Sequence, residues 1–345
     1  MNSGKQNILD YSPSQLPAPK SATFRQQQLA DWLYVKGVSS FGDMTNLPKT
    51  WREDLEEHYQ ISPFKHIERF ASKDGSVRYL FTLEDSKQTE AVYMPYLKRK
   101  TLCISSMVGC PAGCTFCATG AMGFGRNLSV SEILGQLLGV AWQEGFSPRD
   151  IRNVVLMGMG EALLNYDNAL GAIRTMIDPL GLDMSARRIT LSTVGLPNRI
   201  QKLAKENLQL VLALSLHAPD EETRRRIIPT AQAHPIPDII ASLHTWQKTI
   251  KLRITIEYTM LEGVNDAPWQ ADALAALLKN LHTHINLIPF NPWQASGFRS
   301  SSNRTIEKFK LTLEKYGMNV SVRFSRGRDA GAACGQLALG TSLAT

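Results

Sequence analysis

Three cysteines, Cys110, Cys114 and Cys117, lie close together in the glycine-rich segment GCPAGCTFCATGAMGFGRN. Thiolates are soft ligands that suit iron-sulfur clusters and zinc, and a glycine-rich loop can fold around a cluster with each sulfur pointing inward. Structural zinc takes four ligands, and no nearby His or Cys pair completes that set. Three thiolates on a four-iron cluster leave one iron open to another ligand. The spacing therefore favours a 4Fe-4S cluster, with zinc and three unrelated buried cysteines as the alternatives.

The elements on either side of this segment must position the three thiols. The segment follows TLCISS, an apolar run that predicts a strand, and it precedes a predicted helix over residues 129–144. Ser129 and Glu132 form a capping box at the start of that helix, apolar residues repeat along one face, and Gly145 is placed to end it. We therefore expect the three cysteines in a loop between a strand and a helix.

The same order of strand, loop and helix repeats along the rest of the chain. Predicted strands are TLCISS, NVVLMGM, RITLST, LVLALSL, RITIEYT, INLIPF and NVSVRF, and predicted helices lie near 129–144, 167–178, 196–206, 236–249, 267–281 and 303–316. This alternation predicts an α/β fold with a parallel sheet, either doubly wound or wrapped as a full or partial barrel. In such folds the polar residues at the C-terminal ends of the strands form the site.

The first hundred residues have a different pattern. Residues 1–20 are rich in Ser, Pro and Asn and predict a flexible leader. Residues 21–100 predict a small α+β accessory domain, with a helical unit over 24–61 followed by a hairpin around Asp74-Gly75 and a third strand at EAVYMP. Residues 101–345 predict one core domain, which includes the C-terminal segment that carries Cys334.

The bulk composition sets the class of protein. The chain has 345 residues, 43% apolar and 20% charged, with a net charge of +7 that permits a polyanionic partner without requiring one. We expect no membrane span and no signal peptide, and hence a cytoplasmic protein. Five cysteines, three of them clustered, suit a metal site in a reducing compartment better than a disulfide framework.

The motif CxxxCxxC, with Phe116 before its last cysteine, resembles the signature of radical S-adenosylmethionine (SAM) enzymes. From about Phe24 onward the chain resembles the RlmN/Cfr family of RNA adenine methyltransferases, in the ordered blocks TLCISS with the cysteine motif, MGMGEALLN, RRITLST, LSLHAP, GVNDA, IPFNPW and AACGQL. The resemblance implies a partial (β/α)6 radical SAM barrel. It also implies that the open iron is chelated by the amino and carboxylate groups of SAM, which reduction cleaves to a 5'-deoxyadenosyl radical.

The resemblance assigns roles to residues that would otherwise attract none. A lone cysteine is most often a small buried apolar residue, and Glu90 alone would be a solvated glutamate at a strand end. The family instead implies that Cys334 accepts a methyl group from SAM, that Cys103 resolves a protein-RNA adduct and that Glu90 accepts a proton. The SAM-binding residues implied by the same resemblance are Gly160, Glu161, Ser192, Ser215, Leu216, His217 and Asn291.

The chemistry explains the two extra thiols, because C2 or C8 of adenine is electrophilic and cannot attack the SAM methyl group. The implied route uses two SAM molecules. The first methylates Cys334, and the second yields the radical that removes hydrogen from the S-methyl group, so that a methylene radical adds to the base. Attack of Cys103 on Cys334 then releases methyladenosine and leaves a disulfide for an external reductant, which must also reduce the cluster.

The implied substrate is the adenine at the peptidyl-transferase centre of 23S rRNA, together with tRNA, acted on by a monomer. Most blocks resemble the C2-methylating branch, but Ala162 gives GEALLN, as in the C8-methylating resistance branch, and Gly331 replaces a bulkier residue, which would loosen the loop of Cys334. The alternatives are C8 methylation, a radical SAM enzyme with a non-RNA substrate and a non-catalytic iron-sulfur RNA-binding protein. Basic clusters that could contact phosphates are 98–100, 187–188, 224–226 and 323–328.

Overall fold

The computed structural model describes residues 4–19, 24–96, 99–293 and 295–337. The strands are β1 (Gln6–Asn7), β2 (Tyr59–Gln60), β3 (Phe64–Ala71), β4 (Val77–Leu83), β5 (Gln88–Tyr96), β6 (Arg99–Cys103), β7 (Met107–Gly109), β8 (Phe124–Asn127), β9 (Asn153–Leu156), β10 (Ile189–Thr193), β11 (Val211–Ser215), β12 (Ile254–Met260), β13 (Thr283–Pro289) and β14 (Val320–Val322).

The α-helices are α1 (Phe24–Ala30), which continues into a π-helical turn at Asp31–Lys36, α2 (Lys49–His58), α3 (Ala118–Ala121), α4 (Val130–Glu144), α5 (Tyr166–Ile177), α6 (Pro197–Lys205), α7 (Glu221–Ile227), α8 (Ile236–Ile250), α9 (Pro268–Leu278) and α10 (Asn303–Lys315). Within the described part of the chain, none of these helices is both long and apolar enough to cross a membrane.

The parallel part of the main sheet is wound in one direction only. Strands β6, β9, β10, β11, β12, β13 and β14 lie side by side in chain order, and each pairs with its neighbour in parallel. A doubly wound sheet would reverse its strand order at a switch point, and this order does not reverse. Six crossovers carry the helices α4, α5, α6, α8, α9 and α10. The predicted partial (β/α)6 barrel is therefore confirmed, with β14 as a short seventh strand.

Helix α4 forms for the reasons visible in its sequence. Ser129 Oγ accepts a hydrogen bond from the Glu132 N–H at 3.2 Å, and the Glu132 carboxylate accepts one from the Ser129 N–H at 2.9 Å. Gly145 ends the helix in the left-handed conformation, with φ of 68°. The apolar face of the helix, which includes Ile133 and Leu137, is fully buried in the main core. Both predicted ends of this helix are confirmed.

The N-terminal unit shares its sheet with the barrel. Strands β3, β4 and β5 form an antiparallel meander, and β5 pairs with β6 so that Val92 lies opposite Cys103. The predicted boundary near residue 100 therefore falls inside β6, within one continuous ten-stranded sheet. Because of this continuity, the end of the β3–β4 hairpin has a fixed place relative to the barrel.

The first residues of the chain are packed against the body of the protein. Strand β1 pairs with β2, Ile8 and Leu9 are fully buried, and the Asp10 carboxylate accepts a hydrogen bond from the Ser131 N–H at the start of α4 (2.8 Å). The flexible leader predicted over 1–20 is therefore wrong for residues 4–19. Burial of the apolar side chains of Ile8 and Leu9 stabilises the ordered segment. The polar residues around this pair gave the segment the composition of a flexible leader. Residues 1–3 and 20 lie outside the described residues.

The turn between β3 and β4, residues 72–76, is called the hairpin turn below. The Gly75 N–H donates to the Ser72 carbonyl at 3.1 Å, and the Ser72 N–H donates to the Ser76 carbonyl at 2.8 Å. Gly75 has φ of 82°, a conformation that favours glycine. The turn predicted from Asp74-Gly75 is therefore confirmed.

Two local elements next to the predicted site were not expected. Strands β7 and β8 pair as an antiparallel ribbon on either side of residues 110–123, which we call the three-cysteine loop. Helix α7, with the sequence EETRRRI, is only seven residues long and mostly polar, so apolar periodicity gave no signal for it. Both elements bear on the cysteines, because the backbone N–H of Thr115 donates to the Ile227 carbonyl at 3.0 Å.

Candidate active site

A cavity of about 960 Å³, which includes space open to solvent, lies at the C-terminal ends of the parallel strands. The three-cysteine loop forms one wall, and strand-end residues form the others. The predicted site residues that line this cavity are Cys110, Cys114, Cys117, Gly160, Glu161, Ser192, Ser215, His217, Asn291 and Cys334. The structure thus brings together ten residues that are spread over more than 200 positions of the sequence.

The three-cysteine loop is tightly folded. The Cys110 N–H donates to the Gly123 carbonyl at 2.8 Å, and the Cys117 N–H donates to the Cys114 carbonyl at 3.0 Å. At Gly120 an added Cβ would lie 2.7 Å from the Cys114 carbonyl oxygen, so only glycine fits there. The loop therefore has one compact conformation in which all three thiols face the cavity.

Burial controls the protonation of these thiols. It raises the pKa of the Cys110 thiol to about 12, and it raises the pKa values of Cys114 and Cys117 above their usual range. Without a metal, the thiols are protonated at neutral pH. Metal binding must therefore displace their protons, as it does for thiolate ligands in general.

The three-cysteine loop does not offer the ligand set of a single metal ion. Among the described residues, no three His, Cys, Asp or Glu side chains form a group that could hold one ion. A zinc ion needs all its ligands within about 2.3 Å of one point. In a cluster each thiolate binds a different iron, so the sulfurs need not converge. This geometry counts against the zinc alternative.

Gly160 and Glu161 form a turn after β9. Gly160 has φ of 104°, and a Cβ there would lie 2.7 Å from Cβ of Met107. The buried Glu161 carboxylate accepts hydrogen bonds from the N–H groups of Val194 (2.7 Å) and Leu163 (3.1 Å). Burial nevertheless raises the pKa of Glu161 to about 7. A cationic group bound beside it would stabilise the charged form.

His217 follows β11 and is fixed by the backbone. It has φ of 58°, unusual for a residue with a side chain, and its Nδ1 accepts a hydrogen bond from the Thr259 N–H at 3.0 Å. The ring hydrogen therefore lies on Nε2. Burial, with the charge of Arg224, lowers the pKa of His217 to about 3, so the ring is neutral. Its ring packs edge-on against Phe116, with centroids 4.8 Å apart.

Asn291 connects the cavity wall to the segment of Cys334. Its Nδ2 donates to the Cys334 carbonyl at 3.1 Å and to Ser325 Oγ at 2.8 Å. Its Oδ1 is buried and has no hydrogen-bond partner among the described residues. A buried acceptor without a partner is costly, so this oxygen marks a place where a ligand can donate.

Cys103 and Cys334 meet in a second cavity, of about 800 Å³, that adjoins the first. Cys117, Cys334 and Arg323 line both cavities, whereas Cys103 lines only the second. Cys334 is exposed and lies in residues 323–337, which we call the Cys334 loop. Burial raises the pKa of the Cys103 thiol to about 12, while the charge of Arg323 acts in the opposite direction.

Two predicted residues are not placed at either cavity. Leu216 is fully buried, and its carbonyl accepts a hydrogen bond from Arg224 Nε at 3.3 Å. Glu90 is also fully buried and forms an ion pair with Arg78. It lies on the same face of β5 as Val92, which lines the second cavity. A role for Glu90 as a proton acceptor stays a prediction.

Glu257 lines the first cavity from β12 and was not predicted from the sequence. Its Oε1 accepts a hydrogen bond from Asn286 Nδ2 at 3.0 Å and lies 3.9 Å from Nη1 of Arg323. Its Oε2 is buried and has no partner among the described residues. Burial raises the pKa of this carboxyl group. A charged residue inside the buried strand RITIEYT was the available signal, because such residues are rarely buried without a partner or a function.

The basic clusters divide into buried and exposed members. Arg224 is fully buried and donates to the carbonyls of Val194 and Leu216, so a phosphate contact for it is excluded. Its role is to hold strand-end backbone together. Residue 98 lies outside the described residues. Exposed members are Arg99, Arg187, Arg188, Arg225, Arg226 and Arg328.

Family models match most of the chain. Residues 104–275 match the radical SAM superfamily, and residues 6–61 match the N-terminal domain of ribosomal RNA large subunit methyltransferases. The second match includes residues 6–19, which are described in the structure and contain the buried Ile8 and Leu9.

Curated relatives match nearly end to end. A protein of Deinococcus deserti named "Probable dual-specificity RNA methyltransferase RlmN" is 57% identical over 96% of this chain and 96% of its own length. A Thermus thermophilus protein of the same name is 56% identical over 96% of this chain and 93% of its own length.

The fold has a solved counterpart. The crystal structure of a radical SAM methyltransferase from Sphaerobacter thermophilus has a TM-score of 0.91 and 37% identity, covering 96% of this chain and 98% of that one. Membership of the radical SAM superfamily implies an iron-sulfur cluster and SAM. With its three clustered cysteines, its strand-end cavity and its near full-length relatives, this chain belongs to the RlmN family of radical SAM RNA methyltransferases.

Proposed function

We propose that this enzyme methylates C2 of adenine, in 23S rRNA at the peptidyl-transferase centre and in tRNA, with Cys334 as the methyl carrier and Cys103 as the resolving thiol. The observation that carries the proposal is the arrangement of all five cysteines around two adjoining cavities. Cys334 lines both, so one sulfur borders both the SAM side and the resolving thiol. We include a cytoplasmic location in the proposal, because 23S rRNA and tRNA are both cytoplasmic in bacteria.

The residues of the first cavity fit a 4Fe-4S cluster with bound SAM. Cys110, Cys114 and Cys117 would hold the cluster through three of its irons. The partnerless Oδ1 of Asn291 and Oε2 of Glu257 offer acceptors to a ligand with N–H and O–H groups. The Gly160-Glu161 turn, with its close backbone and carboxylate, would hold the SAM ammonium. When bound and reduced, the cluster would supply the electron for SAM cleavage and so the chemistry of hydrogen-atom abstraction.

Cys334 would act first as an ordinary nucleophile. Its sulfur forms a bond to the SAM methyl carbon, S-adenosylhomocysteine leaves with the electron pair of the broken bond, and the thiol proton goes to solvent. Cys334 itself is exposed, which leaves room for that exchange. A second SAM is then needed, since the first has been consumed as a methyl donor.

Cys103 would act last. Once the methylene carbon is attached to the base, the radical adduct must lose the C2 proton and one electron, for which the cluster oxidised by SAM cleavage would be the acceptor. The Cys103 sulfur then attacks the Cys334 sulfur. The bond from that sulfur to the methylene carbon breaks, the electron pair stays with the base, and a proton completes the methyl group. Burial keeps the Cys103 thiol protonated beforehand, and the cationic Arg323 in the same cavity favours its ionisation. An external reductant must supply two electrons to the disulfide.

Exposed residues around the second cavity suit a single-stranded RNA segment. Phe324 is 59% exposed and lines the cavity that contains Cys103, and Tyr96 is 62% exposed. Exposed aromatic rings stack on unpaired bases, and exposed arginines attract phosphates. We include RNA binding by the N-terminal unit in the proposal, with the enzyme acting as a monomer.

C8 methylation is the second candidate, because Ala162 matches that branch. Ala162 is buried in the turn after Glu161, where its side chain contacts the main core. It does not line the first cavity, so this substitution alone does not reshape the space for the base.

Reconstituted enzyme, SAM, a reductant and fragments of 23S rRNA or tRNA provide the test, with mass spectrometry of the nucleosides as the readout. We expect 2-methyladenosine in both RNAs. Formation of 8-methyladenosine would replace C2 by C8, and formation of neither product would overturn both candidates. Cys334→Ala is the matched control and should give no methylated base.

A further inference from the structure

The Cys334 loop is joined to the hairpin turn, 253 positions away in the sequence. Asp74 Oδ2 accepts a hydrogen bond from the Gly327 N–H at 2.9 Å. Arg326 donates from Nη2 to the Asp74 carbonyl at 2.7 Å, and from Nη1 to the Pro95 carbonyl at 2.8 Å. The carboxylate of the hairpin turn therefore holds backbone at the start of the Cys334 loop.

The reverse contact is present as well. The Asp329 carboxylate accepts a hydrogen bond from the Lys73 N–H at 3.0 Å and another from the Ser72 hydroxyl. Each segment thus offers an aspartate to the backbone of the other, and we call this pair of contacts the reciprocal clamp. Hydrogen bonds to a carboxylate are shorter and stronger than neutral ones. Burial acts to raise the pKa of Asp74, but backbone hydrogen bonds from Ser76, within the hairpin turn, and from Gly327, across the clamp, lower it to about 2.

The buried side chain of Arg78 makes a further contact between the β3–β4 hairpin and the Cys334 loop. Arg78 Nε donates to the Ala330 carbonyl at 2.7 Å, while its guanidinium pairs with Glu90. Its guanidinium also lies over the ring of Phe70, 4.3 Å from the centroid. The β3–β4 hairpin therefore contacts residues 326, 327, 329 and 330 of the Cys334 loop.

The other end of the Cys334 loop is attached to the barrel and to the three-cysteine loop. Besides the contact of Asn291 with the Cys334 carbonyl, the Ala118 N–H donates to the Gly335 carbonyl at 2.8 Å, and Gln336 Nε2 donates to the Pro292 carbonyl at 2.8 Å. Cys334 therefore lies at the junction between a part of the loop held by the hairpin and a part held by the barrel.

A compact turn connects the clamp to Cys334. The Ala332 N–H donates to the Gly327 carbonyl at 2.8 Å. A Cβ on Gly327 would lie 2.6 Å from Cβ of Ala332, so the two residues are in close contact. Gly331 has φ of 64°, which glycine adopts without strain, so this residue suits the turn. A shift at Gly327 is therefore transmitted to the residues next to Cys334.

We propose that Asp74 and Asp329 are positioning residues, whose reciprocal clamp holds the Cys334 loop so that the Cys334 sulfur stays at the boundary of the two cavities. Neither aspartate lines a cavity. Their effect on catalysis is exerted through the loop. The inference about the loop rests on the contacts above, and its consequence for methyl transfer rests on the proposed function of Cys334.

The structural part is tested by hydrogen exchange on the cluster-loaded enzyme. In Asp74→Ala/Asp329→Ala we expect amides of the Cys334 loop, Gly327 above all, to exchange at least about tenfold faster, with exchange of α4 amides unchanged. Lys73→Ala is the matched control, because its side chain is exposed and only its backbone N–H contacts Asp329. Asp74→Asn keeps an acceptor oxygen and should give an intermediate rate.

Unchanged exchange of the loop in the double variant would overturn the clamp. The same holds for acceleration spread equally over α4 and the barrel, or for an equal effect of Lys73→Ala. Each of these results would mean that the two aspartates do not specifically hold the loop.

Methyl transfer supplies a second readout. In the double variant the rate of Cys334 methylation by SAM should fall by about tenfold while KM for SAM is unchanged, since a positional change costs rate and the SAM contacts lie on the barrel. A loosened loop in an enzyme whose Cys334 is never methylated, even in the unaltered chain, would overturn the proposed function but not the clamp. A loosened loop with methylation at the normal rate would overturn the positioning role.

Discussion

The three-cysteine loop and the Cys334 loop supply thiols to the same two cavities, but they are held in different ways. The first is closed mainly by the β7–β8 ribbon and by hydrogen bonds among its own residues, with further backbone contacts from Thr115 to Ile227 and from Ala118 to Gly335. The second is held at one end by the hairpin turn and at the other by the barrel and the three-cysteine loop. The first loop is therefore defined largely by local contacts. The second depends on the whole fold, so changes in the two loops should have separable effects.

The largest effect is expected for Cys114→Ala. Loss of one of three thiolates should prevent stable cluster assembly, so that iron content, SAM cleavage and RNA methylation are all lost. Iron and sulfide analysis after reconstitution measures the first of these. Full iron loading of Cys114→Ala would contradict the assignment of the three-cysteine loop as the cluster site.

Cys334→Ala should distinguish the functions of the two loops. Because the contact between the two loops joins the backbone of Ala118 and Gly335 and not the Cys334 side chain, this variant should keep its iron content and its ability to cleave SAM, while RNA methylation falls to background. Assays of 5'-deoxyadenosine and methyladenosine on one preparation compare the two activities. If iron content fell together with methylation, the independence of the loops would be wrong.

Glu161→Gln tests the wall of the first cavity. We expect SAM affinity to fall by about 10- to 100-fold, since a charge-assisted contact to the ammonium is lost. Equilibrium dialysis of the cluster-loaded variant measures this. Normal affinity would remove Glu161 from the SAM site.

The same variant has a defined pH dependence in the metal-free protein. The folded pKa of Glu161, about 7, lies above its ordinary value of 4.5. The folded state then binds the proton more tightly, so this group makes stability fall as pH rises from about 4.5 to 7. Thermal unfolding should show Glu161→Gln gaining stability relative to the unaltered chain across that window. A constant difference from pH 4.5 to 8 would contradict it.

The smallest effect is expected for Phe324→Ala at the exposed rim of the Cys334 loop. Loss of one base-stacking ring should weaken RNA binding by about 1 kcal/mol, roughly fivefold, and leave SAM cleavage intact. Filter binding with a substrate RNA fragment measures the change. Leu311→Ala, an exposed apolar residue on α10, is the control, and equal losses in both variants would show that Phe324 has no specific contact.

Structural features that depend only on neighbouring residues could be predicted from the sequence. The capping box of α4, the Asp74-Gly75 turn and the spacing of the three cysteines are all encoded within a few positions, and each is found as expected. The strand-end positions of Glu161, Ser192 and His217 were also predictable, because alternating strands and helices fix which loops meet. The winding of the sheet was not, since periodicity is the same in doubly wound and barrel folds.

What escaped prediction depends on distant partners. Ile8 and Leu9 look like a short apolar pair in a polar leader until α4 is placed beside them. Arg224 and Glu257 are residue types that normally face solvent, and only the assembled barrel buries them. The contacts of Asp74 with the Cys334 loop had no signal in either segment alone.

The continuous sheet also fixes the order in which this site can be completed during synthesis. A ribosome makes the hairpin turn and the three-cysteine loop early, and more than 200 residues must follow before Cys334 emerges. A nascent chain therefore contains the three thiols that would bind the cluster well before it contains the thiol that would carry a methyl group. The Cys334 loop, which is made last, contacts the hairpin turn, which is made early. The complete site can therefore form only after the chain between these two segments has been synthesised.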